Sequence, residues 1–176
     1  MKTAFTASLL ALAGAAQAHI TLDQPEAPAG SSYRAVFKVG HGCEGGAATK
    51  EIVVTLPEGQ LQGAKPMPKP GWTLTTQRRP LKTPYESHGK PVIDELAEVR
   101  WTAQGEANHL PDAWYDEFVL RATLPAAPGE LAFAVRQVCT QGEWNWAELP
   151  TAANPRPRAP AVRLKVTPAR AEAHAH

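Results

Sequence analysis

Cysteine is almost absent from this 176-residue chain, which holds only Cys43 and Cys139, neither in a CxxC pair nor in a Cys/His cluster at ligand spacing. That argues against a thiolate-rich metal centre. An excess of one charge is lacking too, since 18 Lys plus Arg against 17 Asp plus Glu leave a net charge of +1 and a pI near 7.8. So even a balance speaks against nucleic acid or an acidic membrane surface as the main partner. Past residue 18, no apolar run approaches the roughly 20 residues a membrane-spanning helix needs, so no membrane span is expected in the mature chain. Helical periodicity is missing from the same stretch, as are internal repeats, a GxSxG nucleophile turn and a phosphate-cradling glycine loop. With no acid/base or nucleophile constellation, the expectation is a protein that is not an enzyme.

What is present begins with MKTAFTASLLALAGAAQA, where one lysine precedes an apolar run and Ala16 and Ala18 flank Gln17. This pattern predicts a secretory signal peptide over residues 1–18, cut at an A-x-A site to leave His19 first. The expected location is therefore secreted or periplasmic. In an oxidising compartment the distant cysteine pair reads as a disulfide, worth about 4 to 5 kcal/mol on the chain-entropy model for so long a loop.

Seventeen prolines and thirteen glycines punctuate the chain into short segments. Period-two alternation recurs between them: Tyr33, Ala35, Phe37 and Val39; Ile52, Val54 and Leu56; Val99 and Trp101; Phe118, Leu120, Ala122 and Leu124; Leu131, Phe133 and Val135; Val162, Leu164 and Val166. Such runs predict an all-β fold, an antiparallel β-sandwich of immunoglobulin-like or cupredoxin-like kind, over residues 19–168. Cys139 continues the inward face of Leu131, Phe133 and Val135, so a bridge to Cys43 ties a glycine-rich turn to a core strand. The stretch 169–176 loses alternation and is expected to be a disordered tail, with His174 and His176 as a metal-capturing arm of low specificity.

A first-position histidine differs chemically from an internal one. Its free α-amine and ring Nδ1 can close a chelate on one metal ion, and nitrogen donors suit Cu(II). The amine must shed its proton to bind, so affinity falls in acid.

The segments HITLDQPEAPAGSSYRAVFKVGHGCEG, PMPKPGW, LPDAWYDEFVLRATLP and VRQVCTQGEWNWAELP, in that order, resemble the YcnI-like family of exported copper-binding proteins. The resemblance runs from His19 to about Pro150. It implies a cupredoxin-like sandwich and a single-histidine brace for Cu(II), formed by the N-terminal residue and aided by a glutamate and a tryptophan. Carried over, these roles fall on His19, on Glu44 in the loop GHGCEGG, and on Trp146 rather than Trp144 in GEWNWAELP. Glu51 is the substitute carboxylate, though at the opening of a strand it is expected to face solvent. An indole beside copper excludes water and adds a cation–π contact.

His41 departs from the simplest family pattern. It could complete a two-histidine brace as an additional metal ligand, as in copper monooxygenases, but the bridge at Cys43 is expected to turn it away and leave it a loop residue or one that supports the ligands from behind. Trp72, Trp101 and Trp114 are read as core packing, and His88 and His109 as surface residues. Met67 could offer Cu(I) a thioether, although single methionines mostly pack. The expected function is periplasmic copper storage, buffering or transfer to another exported or membrane copper protein. The alternatives are a copper monooxygenase and a metal-free immunoglobulin-like interaction module.

Overall fold

The computed structural model describes residues 19–169; the expected leader and nearly all of the expected tail, His174 and His176 included, lie outside them. Eleven strands follow in order: β1 Thr21–Leu22, β2 Glu26–Pro28, β3 Ser32–Val39, β4 Thr49–Thr55, β5 Gln62–Pro66, β6 Trp72–Ser87, β7 Lys90–Ala103, β8 Asp116–Thr123, β9 Gly129–Cys139, β10 Glu143–Trp146 and β11 Val162–Thr167. Two sheets result, one ordered β1-β3-β8-β5 and the other β2-β11-β9-β4-β7-β6, with β10 also pairing on β9. Pairing is antiparallel throughout except where β2 runs parallel to β11. The fold is the expected all-β sandwich.

Every alternating run read from the sequence lies on or at the end of one of these strands, because period two sends alternate side chains to one face. The inner faces meet in a single core. Phe37 of β3 packs edge-on against Phe133 of β9, with ring centroids 5.3 Å apart. Phe118 of β8 lies between Trp72 and Trp101, at 5.0 and 5.6 Å.

The strands missing from the sequence reading are the short or peripheral ones. β6 is the clearest case: it is an edge of its sheet and only Trp72 along it is buried. An edge strand with a polar outer face has no alternation to detect. Its prolines fit the same position, since the register with β7 slips between Pro80 and Tyr85, where a missing N–H breaks no ladder bond.

The sandwich is closed at one end by the Cys43–Cys139 disulfide, which spans 96 residues of sequence and joins the loop after β3 to the last residue of β9.

Two outcomes follow for the fold. Phe133→Ala removes a fully buried ring at the inter-sheet contact and is expected to lower unfolding free energy by about 3 to 5 kcal/mol in chemical denaturation. The Tyr33 hydroxyl donates to the Gln24 carbonyl at 2.6 Å, and burial, with help from Asp23, pushes its pKa up to about 12. The folded state thus keeps this proton longer than the unfolded chain, whose tyrosines titrate near 10. The stability so gained is complete below about pH 10 and is lost as pH rises toward 12. The denaturation midpoint should fall across that window in the wild type, and fall less in Tyr33→Phe.

Candidate functional site

The inward face of β9 carries Leu131, Phe133, Val135, Gln137 and Cys139, so alternation places a carboxamide where an apolar side chain belongs. Gln137 is fully buried. Its Nε2 donates to the His41 carbonyl at 2.8 Å and to Thr49 Oγ1 at 2.7 Å, and its Oε1 accepts from Trp146 Nε1 at 3.2 Å. Both amide hydrogens and the carbonyl are used, as burial of a polar group demands. One side chain therefore fixes the loop after β3, the start of β4 and the indole on β10.

Trp146 is held by pairing as well as by that bond, lying opposite Val135 in the β9–β10 register. Trp144, opposite Gln137, shares its face, and the two indoles stack with centroids 5.1 Å apart. Trp146 is buried and Trp144 half-buried. Against the edge of Trp146 lie two imidazoles, His19 at 5.6 Å and His41 at 6.3 Å between ring centroids. The expectation that the bridge turns His41 away does not hold, because the disulfide anchors the loop over the same indole that His19 meets.

The loop geometry explains how. Cys43 N–H donates to the Ala47 carbonyl and Gly42 N–H to Asp112 Oδ1, at 2.9 and 2.8 Å. A Cβ on Gly42 would come within 2.2 Å of the Ala47 carbonyl oxygen, so only glycine allows this close turn. His41 Nδ1 is hydrogen-bonded to the Gly42 carbonyl. With Nδ1 as donor, the lone pair of the neutral ring lies on Nε2.

Glu44 stands on the outer flank. It is exposed, and Arg158 Nη2 donates to its Oε1 at 2.5 Å while the same guanidinium lies over the Trp144 ring at 5.0 Å. Among the described residues no three His, Cys, Asp or Glu side chains form a group that could hold a metal ion. Glu51 differs from the solvent-facing reading: its side chain is only 17% exposed, held by Arg100 at 2.8 Å and Arg136 at 3.5 Å, with Thr102 Oγ1 donating at 3.0 Å.

Trp72 and Trp101 are core residues, and Trp101 Nε1 donates to the Met67 carbonyl at 3.0 Å. Trp114 is not: it is 66% exposed, because it sits in the turn after Pro111, ahead of β8, where no opposing sheet covers it. Met67 is exposed on the edge of the other sheet, its N–H bonded to Val119. His88 is exposed in the β6–β7 turn and His109 half-buried.

Gln137 is the site residue that sequence reading passed over. Its signal was present, since one polar residue interrupts the inward set 131, 133, 135, 139. Gln137→Leu leaves the Trp146 indole N–H and two further groups unpaired and should destabilise by about 1 to 3 kcal/mol. Denaturation followed by tryptophan fluorescence checks it, with the near-ultraviolet dichroism of the stacked indoles expected to weaken.

A family model described as a domain of unknown function (DUF1775) matches residues 19–166. No curated protein matches the chain. Among solved structures, an uncharacterized protein from Nocardia farcinica with an immunoglobulin-like fold is 27% identical, covers 84% of this chain and 97% of its own, and superposes with a TM-score of 0.64. The seventh ScaB type I cohesin of Pseudobacteroides cellulosolvens covers 90% of this chain and 97% of its own at 7% identity and a TM-score of 0.45.

Proposed function

The chain belongs to the DUF1775 family, and from that premise we propose that it is an exported copper-binding protein that holds Cu(II) through His19 and acts in copper storage, buffering or transfer. The observation that carries the reading is the placement of the His19 and His41 rings against one buried indole. Cleavage after Ala18 would give His19 an α-amine beside its ring Nδ1, a bidentate nitrogen donor. His41, whose ring packs against the same indole, would bring a second imidazole to the donors. Trp146 would wall the ion from water on one side, and its orientation is kept by Gln137.

Glu44 would join as the carboxylate ligand on leaving Arg158. That exchange is cheap, because the pair is exposed and exposed ion pairs contribute about 0 to 1 kcal/mol. Copper here is cargo, and the residues around it serve to hold and release it.

The nearness of His41 also favours a second reading, a copper monooxygenase with a two-histidine brace. It requires an oxidised product formed with reductant and oxygen, and failure to form one with polysaccharide substrates counts against it.

The test is a Cu(II) titration with electron paramagnetic resonance on the chain beginning at His19 beside a form with one alanine ahead of it. One-to-one binding with nitrogen hyperfine structure, weakened at least a hundredfold by the added alanine, is expected. Equal binding by both forms overturns the amine as a ligand. His41→Ala and Glu44→Gln then separate the remaining donors, the first expected to change the spectrum more than the second.

A further inference from the structure

The register of the smaller sheet places Arg34 of β3 opposite Arg121 of β8, and Arg121 opposite Lys65 of β5. All three side chains are exposed on the outer face, since Tyr33, Ala35, Leu120 and Ala122 point into the core. None forms an ion pair with an acidic side chain among the described residues. Like charges directly opposite across strands are destabilising. Other cations nearby are neutralised, Lys38 by Asp23 at 3.5 Å and Lys69 by Asp116 at 2.6 Å. Along β8 the nearest acidic side chain on the outer face is Glu117, four residues from Arg121. The row thus stands alone, three cations about 5 Å apart per strand, level with one another.

We infer that this face docks the protein on a bilayer surface rich in anionic phospholipid. Cations at one register level of a sheet stand at one height, which suits a planar layer of phosphates and needs no shaped partner. One level along the same face lies Met67, 51% exposed, and at the end where β8 begins lie Trp114 and Tyr115, 66% and 56% exposed. The Met67 thioether beside the cationic heads suits the boundary between head groups and acyl chains, whereas Tyr115 is hydrogen-bonded to Glu117 and neighbours Asp23 and Asp116, so the end where β8 begins is acidic and stands off from the phosphates. The near-neutral net charge speaks against such a surface as the main partner of the whole molecule, but it sums over all faces and the basic row is confined to one of them.

The test uses the chain from His19 onward, which contains every strand among the described residues, in sedimentation with vesicles. Vesicles of phosphatidylcholine are compared with and without a third of phosphatidylglycerol, at low and high salt. Binding is expected only to the anionic vesicles and only at low salt. The triple variant Arg34→Gln, Arg121→Gln, Lys65→Gln should lower the partition coefficient on the order of a hundredfold. Arg121→Gln alone should lower it about fivefold, which keeps a result in hand if the triple variant does not fold. A control triple at exposed cations elsewhere, Lys50→Gln, Lys90→Gln and Arg156→Gln, should stay within about twofold of wild type. Equal binding to neutral vesicles, equal loss in the control triple, or an Arg121-dependent grip on polyglutamate without any on anionic vesicles each overturns the lipid surface. The last of these would place an acidic protein on this face instead.

Discussion

Gln137 occupies a position where the alternation of β9 calls for an apolar side chain, and a carboxamide is tolerable there only because each of its groups is bonded. Its partners belong to three segments distant in sequence: the loop after β3, the first residue of β4, and β10. A buried polar network is costly when half satisfied and specifying when complete. Here it is complete, and among the described residues no buried side-chain polar atom is left without a partner. The disulfide one residue pair further along β9 adds a covalent tie to the same loop. Between them, these two constraints set His41 against the same indole that His19 meets.

The arrangement shows how an ordinary sandwich builds a site at its end. Strands β3 and β9 belong to different sheets, and their ends come together only because the core between them is packed. His19 enters beside β1, which pairs on β3 through Thr21 and Lys38. His41 leaves β3 at its far end. The site thus depends on register within the small sheet and on the bridge between sheets, and neither histidine needs a dedicated helix or lid to reach the Trp146 indole.

Much of this was legible in the sequence and some was not, for reasons that differ by residue. Tyr33 to Val39 and Leu131 to Val135 announced their strands because one face is buried. β6 did not, because its side chains face water and obey no period. Trp114 was misread because large aromatics usually fill cores, whereas a turn ahead of β8 leaves this one uncovered. Glu51 was expected in solvent, yet two arginines from neighbouring strands enclose it, and cross-strand neighbours are invisible until register is known. The same limit hid the row of Arg34, Arg121 and Lys65 behind a net charge of +1. The pairing of Cys43 with Cys139 could be read directly, since with only two cysteines there is one possible bridge. Which glutamate, if any, joins His19 was not legible, because the ion pair of Glu44 with Arg158 depends on the loop before β11.

The central claim is that copper is held at the Trp146 indole by the histidines that border it. Two-dimensional proton–nitrogen NMR of the chain from His19, recorded as Cu(II) is added below one equivalent, tests it most directly, because the paramagnetic ion broadens only nearby signals. The indole N–H of Trp146 and the side-chain amide of Gln137 should vanish first, together with the backbone signals of Ile20 and Gly42. Persistence of those signals while others fade would place copper elsewhere and contradict the claim.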